Sequence, residues 1–537
     1  MAEVCWQCGA PPKHAQKLAL LLERLKPSLG PDVIRLLTTN DVPIDSEIPV
    51  VQELLSDGEE VLHALDAQIL DLQNALAQLA QKRIKAVNHL RECRAILSPV
   101  RRIPQELVCE IFDLSTVRER PSRVRPWERS PWRLGFISRP WRQYALGYAP
   151  LWSFFAVPAH ALEETQINRV LADLETRLLR CATAPLDILW SKVGRDSPDS
   201  RILDLVLPHS DRWRTVSFVD YCSEPMLDWL EPVRGKLDRL RRLEAVDVDS
   251  AFSGVFMSAP NLCKVVLRQS SWLDLFPEAD QASFPIPWAQ ITHYQGKFSF
   301  AQQIDILLAA PNLSHCSLDI EEWDHDFIPP AHTTVTLPHL RRLCLDPIGC
   351  LLHIVAPQLE DLTCSKQGKE VVSRIPPFVH RASCTLQKLA LWRCELSSEL
   401  IAALRSLPSL TSLLLEDLHH QEDDGVDFFA AMSISDTTSD VCPSLTFMAY
   451  GYEYWASGAS QDSFVHMAQS RFHANSNRPS GTHFGSLRLF CSTDLQHYRR
   501  PDPEIMARIR SLQHEGFNVA FLDEDETTEY LRRRCAV

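Results

Sequence analysis

The chain has 537 residues, a formal net charge of -14 and 45% hydrophobic residues. That length holds more than one structural unit, and the acidic balance argues against nucleic-acid binding by the molecule as a whole. No apolar run is long enough to cross a bilayer, and MAEVCWQCGAPPK has no basic start followed by an apolar stretch, so neither membrane span nor secretory signal is expected and the location reads as intracellular, cytoplasmic or nuclear.

Residues 1–50 are poorly patterned. LALLLERL suggests a short helix before Pro27, and Pro31, Pro43 and Pro49 then punctuate the segment. Cys5 and Cys8 form the only close cysteine pair. No second Cys or His pair lies nearby and His14 alone does not complete a four-ligand zinc site, so no metal is expected there. The other cysteines are scattered, as buried free thiols would be in a long chain of this type.

From about residue 51 to 97 a long amphipathic helix is predicted. Leu55, Leu62, Ile69, Leu76, Leu90 and Leu97 recur on a seven-residue spacing, and Leu65, Leu72, Leu79, Ala86 and Cys93 fill the second apolar position. Gly58 and Arg83 interrupt the seam. At 1.5 Å per residue such a helix reaches roughly 60–70 Å. A homodimeric coiled coil explains the seam, but flanking Val61, Gln68, Gln73, Ala75 and Ala80 lack the oppositely charged pairs that set pairing. An intramolecular helix fits equally well.

Residues 98–155 read SPVRRIPQELVCEIFDLS, then a basic stretch, then PWRLGFISRPWRQYALGYAPLWSFF. Pro104 opens a short helical pattern, in which Leu107, Ile111 and Phe112 are expected on one face. Ile137, Trp141 and Ala145 mark a second helix, expected to restart with Pro140 in its first turn because a mid-helix proline costs about 3 kcal/mol. The order Pro104, Ile111-Phe112, Trp141-Arg142, Leu151-Trp152 resembles the F-box, with Ile103-Pro104 where the family opens Leu-Pro and Ser138 where it usually has Cys. The resemblance implies docking onto a Skp-type adaptor of a cullin-RING ubiquitin ligase. It further implies that Pro104, Leu107, Ile111 and Phe112 insert into the adaptor while Ile137 and Trp141 support the helix pair. Ten arginines against five acidic residues between Ser98 and Arg142 are read as a solvated surface.

Beyond residue 156 and up to 523, one short form recurs: APNLCKVVL, APNLSHCSL, LPHLRRLCL, APQLEDLTC, LPSLTSLLL, CPSLTFMAY. Its first anchor falls at Trp213, Leu240, Leu262, Trp288, Leu313, Leu340, Leu359, Leu386, Leu410, Leu445 and Leu487, mostly 19 to 27 residues apart. That is the spacing of leucine-rich repeats. Proline makes a turn, alternating leucines make a short strand, and AQQIDILLAA, SSELIAALRS and PEIMARIRSLQHEG supply helices between strands. The stretch resembles the irregular leucine-rich repeats that follow F-boxes in fungal, basidiomycete-type proteins. The fold class expected is therefore α plus α/β: a coiled-coil-like helix, a small all-helical unit and a solenoid with a curved parallel sheet, with 524–537 as a tail. Leu313, Leu340, Leu343, Leu389, Leu410 and Leu413 are expected inside.

No phosphate loop, nucleophile elbow or zinc-protease helix is present. Asp324-His325-Asp326 and His419 to Gly425 read as solvated turns, and the Asn312-Leu313-Ser314 sequon should be silent. No cofactor and no catalytic residue is expected. The resemblance implies a non-catalytic receptor that brings a protein substrate to the ligase, with the inserts 417–441 and 450–485 as candidate recognition loops. A scaffold that binds partners through helix and repeats without ubiquitination is the alternative. Nothing in the residues favours an enzyme.

Overall fold

The computed structural model describes residues 30–115, 131–158, 162–191, 198–219, 228–246, 254–268, 285–320, 334–346, 348–364, 372–417, 422–434, 441–452, 458–474, 484–491, 503–522 and 526. The Cys5/Cys8 pair, LALLLERL, the Asp324-His325-Asp326 loop and most of the 524–537 tail lie outside them. The chain divides into two units, Met1–Leu107 and Val108–Val537.

In the first unit a helix over Pro31–Thr39 begins with proline in its first turn and ends at Asn40, whose φ of 53° is left-handed. Arg35 reaches across the following turn to Asp41 at 3.2 Å and Glu47 at 2.6 Å. Next comes one continuous helix of 49 residues, Ile48–Ile96. Pro49 starts this helix rather than breaking it, since its missing N–H is an orphan at that position anyway. Gly58 is carried within it. The covered stripe is not the one the seam suggests. Val61 and Gln68 are buried, and Val51, Leu54, Gly58 and Leu65 are half-buried in line with them. Leu55, Leu62, Ile69, Leu72, Leu76, Leu79, Leu90 and Leu97 are exposed, Leu76 at 73%.

The second unit is organised by a parallel sheet whose described strands number fourteen. They are β1 Phe154–Pro158, β2 Leu186–Ser191, β3 Trp213–Val219, β4 Arg242–Val246, β5 Lys264–Arg268, β6 His293–Phe298 and β7 His315–Ile320. A two-residue strand β8 (Val335–Thr336) pairs with β10 (Ile354–Val355) apart from the main sheet. The main sheet continues through β9 Arg342–Asp346, β11 Asp361–Cys364, β12 Lys388–Cys394, β13 Ser412–Asp417, β14 Phe447–Tyr452, β15 Ser486–Cys491 and β16 Asn518–Leu522. Within it each strand pairs in parallel with its predecessor in the chain. Among the described residues every crossover except that from β7 to β9 carries a helix or a 3₁₀ turn.

Register explains the leucine spacing. Leu243, Val265, Tyr294, Cys316, Leu343, Leu362, Leu389, Leu413, Met448 and Leu487 are successive cross-strand partners, and all are buried. The anchor is the residue three positions earlier, tucked under the turn. All six leucines expected inside are buried. The same register corrects two anchors. Tyr294 is the partner of Cys316, so the anchor on β6 is Ile291, not Trp288, because Trp288–Gln290 adds a short 3₁₀ turn after Pro287. Leu487 pairs with Met448, which makes Phe484 the anchor of β15.

Two strands precede the first expected one. Phe155 pairs with Ile188 and Ile188 with Val216, which gives Trp152 the anchor position of β1. This strand crosses the 155/156 position where the sequence pattern changes. Trp152 is buried, its Nε1 donates to the Ala145 carbonyl at 2.7 Å, and its ring meets Trp132 edge-on at 4.9 Å. Arg180, near the end of the Glu164–Cys181 helix, lies 4.2 Å and 4.3 Å from those two rings.

Close packing has local demands. Tyr294 is fully buried and its hydroxyl donates to Gln303 Oε1 at 2.9 Å. A Cβ on Gly296 would fall 1.8 Å from that hydroxyl oxygen, so only glycine fits there. The two inserts expected as recognition loops carry packed helices, Glu422–Met432 and Gly458–Ala474. Phe429 and Phe464 meet at 5.1 Å, and both touch Tyr450 of β14. Phe428, Phe429 and Phe464 of these inserts belong to the core. No disulfide occurs among the described cysteines, and burial pushes the Cys350 and Cys442 thiols up to about 12.

Candidate functional site

The first candidate surface is built on the helix Gln105–Ser115. Val108, Cys109 and Phe112 are buried on one side, whereas Leu107, Ile111 and Leu114, spaced i, i+4, i+7, are exposed on the other, Leu114 at 86%. The expectation that Leu107, Ile111 and Phe112 share a face is thereby corrected. A five-residue step turns the helix well past its own face, and Phe112 meets Trp141 edge-on at 5.3 Å in the interior. Pro104 is exposed just ahead of this helix, Trp141 is half-buried and Ile137 is exposed. Leu114 and Phe136, the latter 75% exposed, extend the set of unburied apolar side chains and were not singled out from sequence.

The second helix of this region is Arg139–Gly147, with Ser138 capping it by accepting from the Trp141 N–H at 3.2 Å. Pro140 sits in the first turn, where it costs no hydrogen bond. The Tyr148 hydroxyl donates to Asp113 and closes the helix pair from its far end. Ala145 is buried between them.

The second candidate surface is the sheet face opposite the buried leucines. Side chains alternate across a strand, so residues one before and one after each buried leucine point there. On β12 to β15 this face holds an apolar patch: Ala390, Leu414, Ala449 and Phe490 form a buried cluster with Trp392, Phe447 and Leu522 packed against it. The Arg488 guanidinium lies 5.6 Å from the Phe447 ring. On β4 to β9 the face is polar and carries a cross-strand row, Arg242, Lys264, His293, His315 and Arg342.

Two ends of that row are neutralised. Arg242 pairs with Glu244, which also accepts from Ser217 at 3.3 Å, and Arg342 lies 3.4 Å from Asp361. The middle is different. His293 and His315 stack with centroids 4.4 Å apart and planes 7° from parallel. Thr292 Oγ1 donates to the Cys263 carbonyl at 3.2 Å and Ser314 Oγ to the Thr292 carbonyl at 2.9 Å. The same hydroxyls lie 2.9 and 3.0 Å from Nδ1 of the ring that follows each of them. Burial, then Lys264, His315, Arg242 and Arg342, push His293 down to about 4. His315 is lowered by burial, Arg342, Lys264 and Arg341, with Asp361 opposing.

Among the described residues no group of three or more His, Cys, Asp or Glu is placed to hold a metal ion, and no helix is long and apolar enough to cross a membrane. No protein-family model matches the chain, and no curated protein matches it.

Proposed function

We propose that the chain is a non-catalytic substrate receptor of an SCF-type cullin-RING ubiquitin ligase, with an F-box in residues 98–155 and leucine-rich repeats beyond. The observation that carries this reading is the helix Gln105–Ser115, which seals one apolar face inside and leaves Leu107, Ile111 and Leu114 uncovered on the other. Such a face is stable in water only at a cost in exposed apolar area, which a docking partner removes. A Skp-type adaptor is the partner proposed. The sheet then presents a protein substrate, and rate enhancement arises from proximity to the charged conjugating enzyme rather than from a nucleophile in this chain.

The test is co-purification of the full chain with a Skp-type adaptor. Leu107→Ala with Ile111→Ala is expected to reduce the retained adaptor by at least about tenfold, since two buried aliphatic anchors each contribute on the order of 1.5–3 kcal/mol. Undiminished retention by a folded double variant overturns the docking assignment. Phe112 is unsuited to this test because its loss empties the interior.

A second reading, in which the long helix joins two copies of the chain, is favoured by the exposed seam from Ile69 to Leu97. The helix is polarised. Residues 48–72 hold six carboxylates and no Lys or Arg, whereas 73–96 hold five Lys or Arg and one carboxylate. A parallel in-register pair sets like charge on like charge; an antiparallel pair matches them. Antiparallel layering centred between Ala77 and Gln78 sets Leu76 on Leu79, Leu65 on Leu90 and Leu62 on Cys93, and brings Arg83 beside Asp71. Sedimentation of the full chain at micromolar concentration should find a dimer that weakens with salt. Leu62→Cys should then cross-link to the native Cys93 of the second copy. A monomer, or a Cys93–Cys93 link in the parent, defeats the antiparallel pair.

A further inference from the structure

Like charges directly opposite one another across strands destabilise a sheet. The row from Arg242 to Arg342 nevertheless sets five basic side-chain types on adjacent strands β4, β5, β6, β7 and β9. At about 4.8 Å between strands the row spans about 19 Å. Its ends have carboxylates. Lys264, in the middle, makes no ion pair among the described residues, and the groups acting on His293 are Lys264, His315, Arg242 and Arg342, with no carboxylate among them. The same face of β5 and β6 continues upward through Val266 and Gln295 to Arg268 and Lys297. Lys297 stands opposite Asp319 across β6 and β7, so the part of the face without a cross-strand carboxylate is Lys264 and His293. Glu244 on β4, Asp319 on β7 opposite Lys297, and Asp346 beyond it on β9 bound the Lys264–His293 pair.

We propose that the β5–β6 face, flanked by His315 and Arg242, is an anion site that receives a short acidic segment of a partner protein. This assignment rests on the reading of the sheet as the substrate-presenting surface. The bounding carboxylates decide between ligands. A long polyphosphate lying along the row would meet Glu244 and Asp361, whereas one or two carboxylate or phosphate groups of a peptide fit between them. The histidine pair links the site to protons. Burial is the largest influence lowering both rings, followed by Lys264, His315, Arg242 and Arg342 at His293 and by Arg342, Lys264 and Arg341 at His315, where Asp361 opposes. An arriving anion offsets the cationic part of that influence, so the rings take up protons more readily and present N–H donors to the ligand. Binding is therefore accompanied by proton uptake and tightens in mild acid.

The experiment uses the full chain and a fluorescein-labelled octaglutamate peptide, read by anisotropy at low salt. Saturable binding is expected to tighten as pH falls from about 7.5 to about 5.5. Lys264→Glu should weaken it by at least about tenfold, and His293→Gln with His315→Gln should remove the pH dependence while leaving binding at the higher pH. Lys264→Arg, which keeps the charge, should retain it. Absence of saturable binding by the parent chain, or binding indifferent to Lys264→Glu, overturns the proposal. Equal or tighter binding of a labelled decathymidylate would overturn the peptide assignment. Adaptor retention by Lys264→Glu should equal that of the parent, so failure here and failure of the docking reading give different results.

Discussion

Among single residues, Arg471 shows how far a buried charge depends on its neighbours. It lies inside the second unit and donates to the carbonyls of Met432 at 2.6 Å, Val441 at 2.6 Å and Cys442 at 3.1 Å. Met432 ends the Glu422–Met432 helix, where the macrodipole is negative, so the guanidinium satisfies orphan carbonyls and complements the helix end together. Arg471→Met keeps the aliphatic volume and leaves those carbonyls unpaired. A loss of more than about 3 kcal/mol is expected, seen as a lower urea midpoint with an unchanged slope. A change below about 1 kcal/mol would mean that the site re-forms its hydrogen bonds without the guanidinium. Nothing in LTFMAY or AQSRFHA marks this arginine as internal, because its partners come from two other segments.

At the scale of elements, what can be read from sequence depends on whether the partner is local. Strands β5, β7, β9, β11, β13 and β14 were legible because proline, anchor and alternating apolar residues sit within nine residues, and β3, β4 and β12 from anchor and alternation alone; β6 and β15 were found with their anchors misplaced. β1 and β2 escaped notice although Phe155 and Ile188 are buried like the others: Pro150-Leu151-Trp152 has the turn-and-anchor form but was read as the end of the helical unit, and the turn before β2 lacks that form. The long helix was legible as a helix, since the apolar period is a property of the element itself, yet its covered stripe was not. Val61 and Gln68 are buried while Leu62 and Ile69 are exposed, a shift of one position that periodicity alone cannot register. The inserts failed differently. Their Phe428, Phe429 and Phe464 were read as loop residues because they interrupt the repeat, and the structure puts them in the core. The cationic row was invisible because its members stand 22 to 29 residues apart and meet only through register.

For the whole second unit, the joint at Trp152 matters most. It is the last apolar residue of the Leu151-Trp152 pair and the anchor beneath β1, and it contacts Trp132 and Arg180 as well as the Ala145 carbonyl. The segment 131–158 and the first strands therefore share one core instead of meeting across a linker. Trp152→Ala is expected to cost about 3–5 kcal/mol and to lower the thermal transition of the full second unit as one event. Separate transitions for the helical segment and the sheet would show that the shared core is not cooperative.

Strand order in the main sheet equals chain order, from β1 to β16. Each new strand needs only the strand completed before it, and among the described residues no terminal segment returns to close the sheet. Such a sheet can be laid down as the chain leaves the ribosome, one neighbour at a time, with sequence separations that stay near the length of one unit. The nascent sheet always ends in one open edge, which the next stretch to emerge covers. A ribosome that stalls between β5 and β15 would leave that edge bare, so translation rate, rather than any late long-range search, governs how long this protein is exposed to mispairing during synthesis.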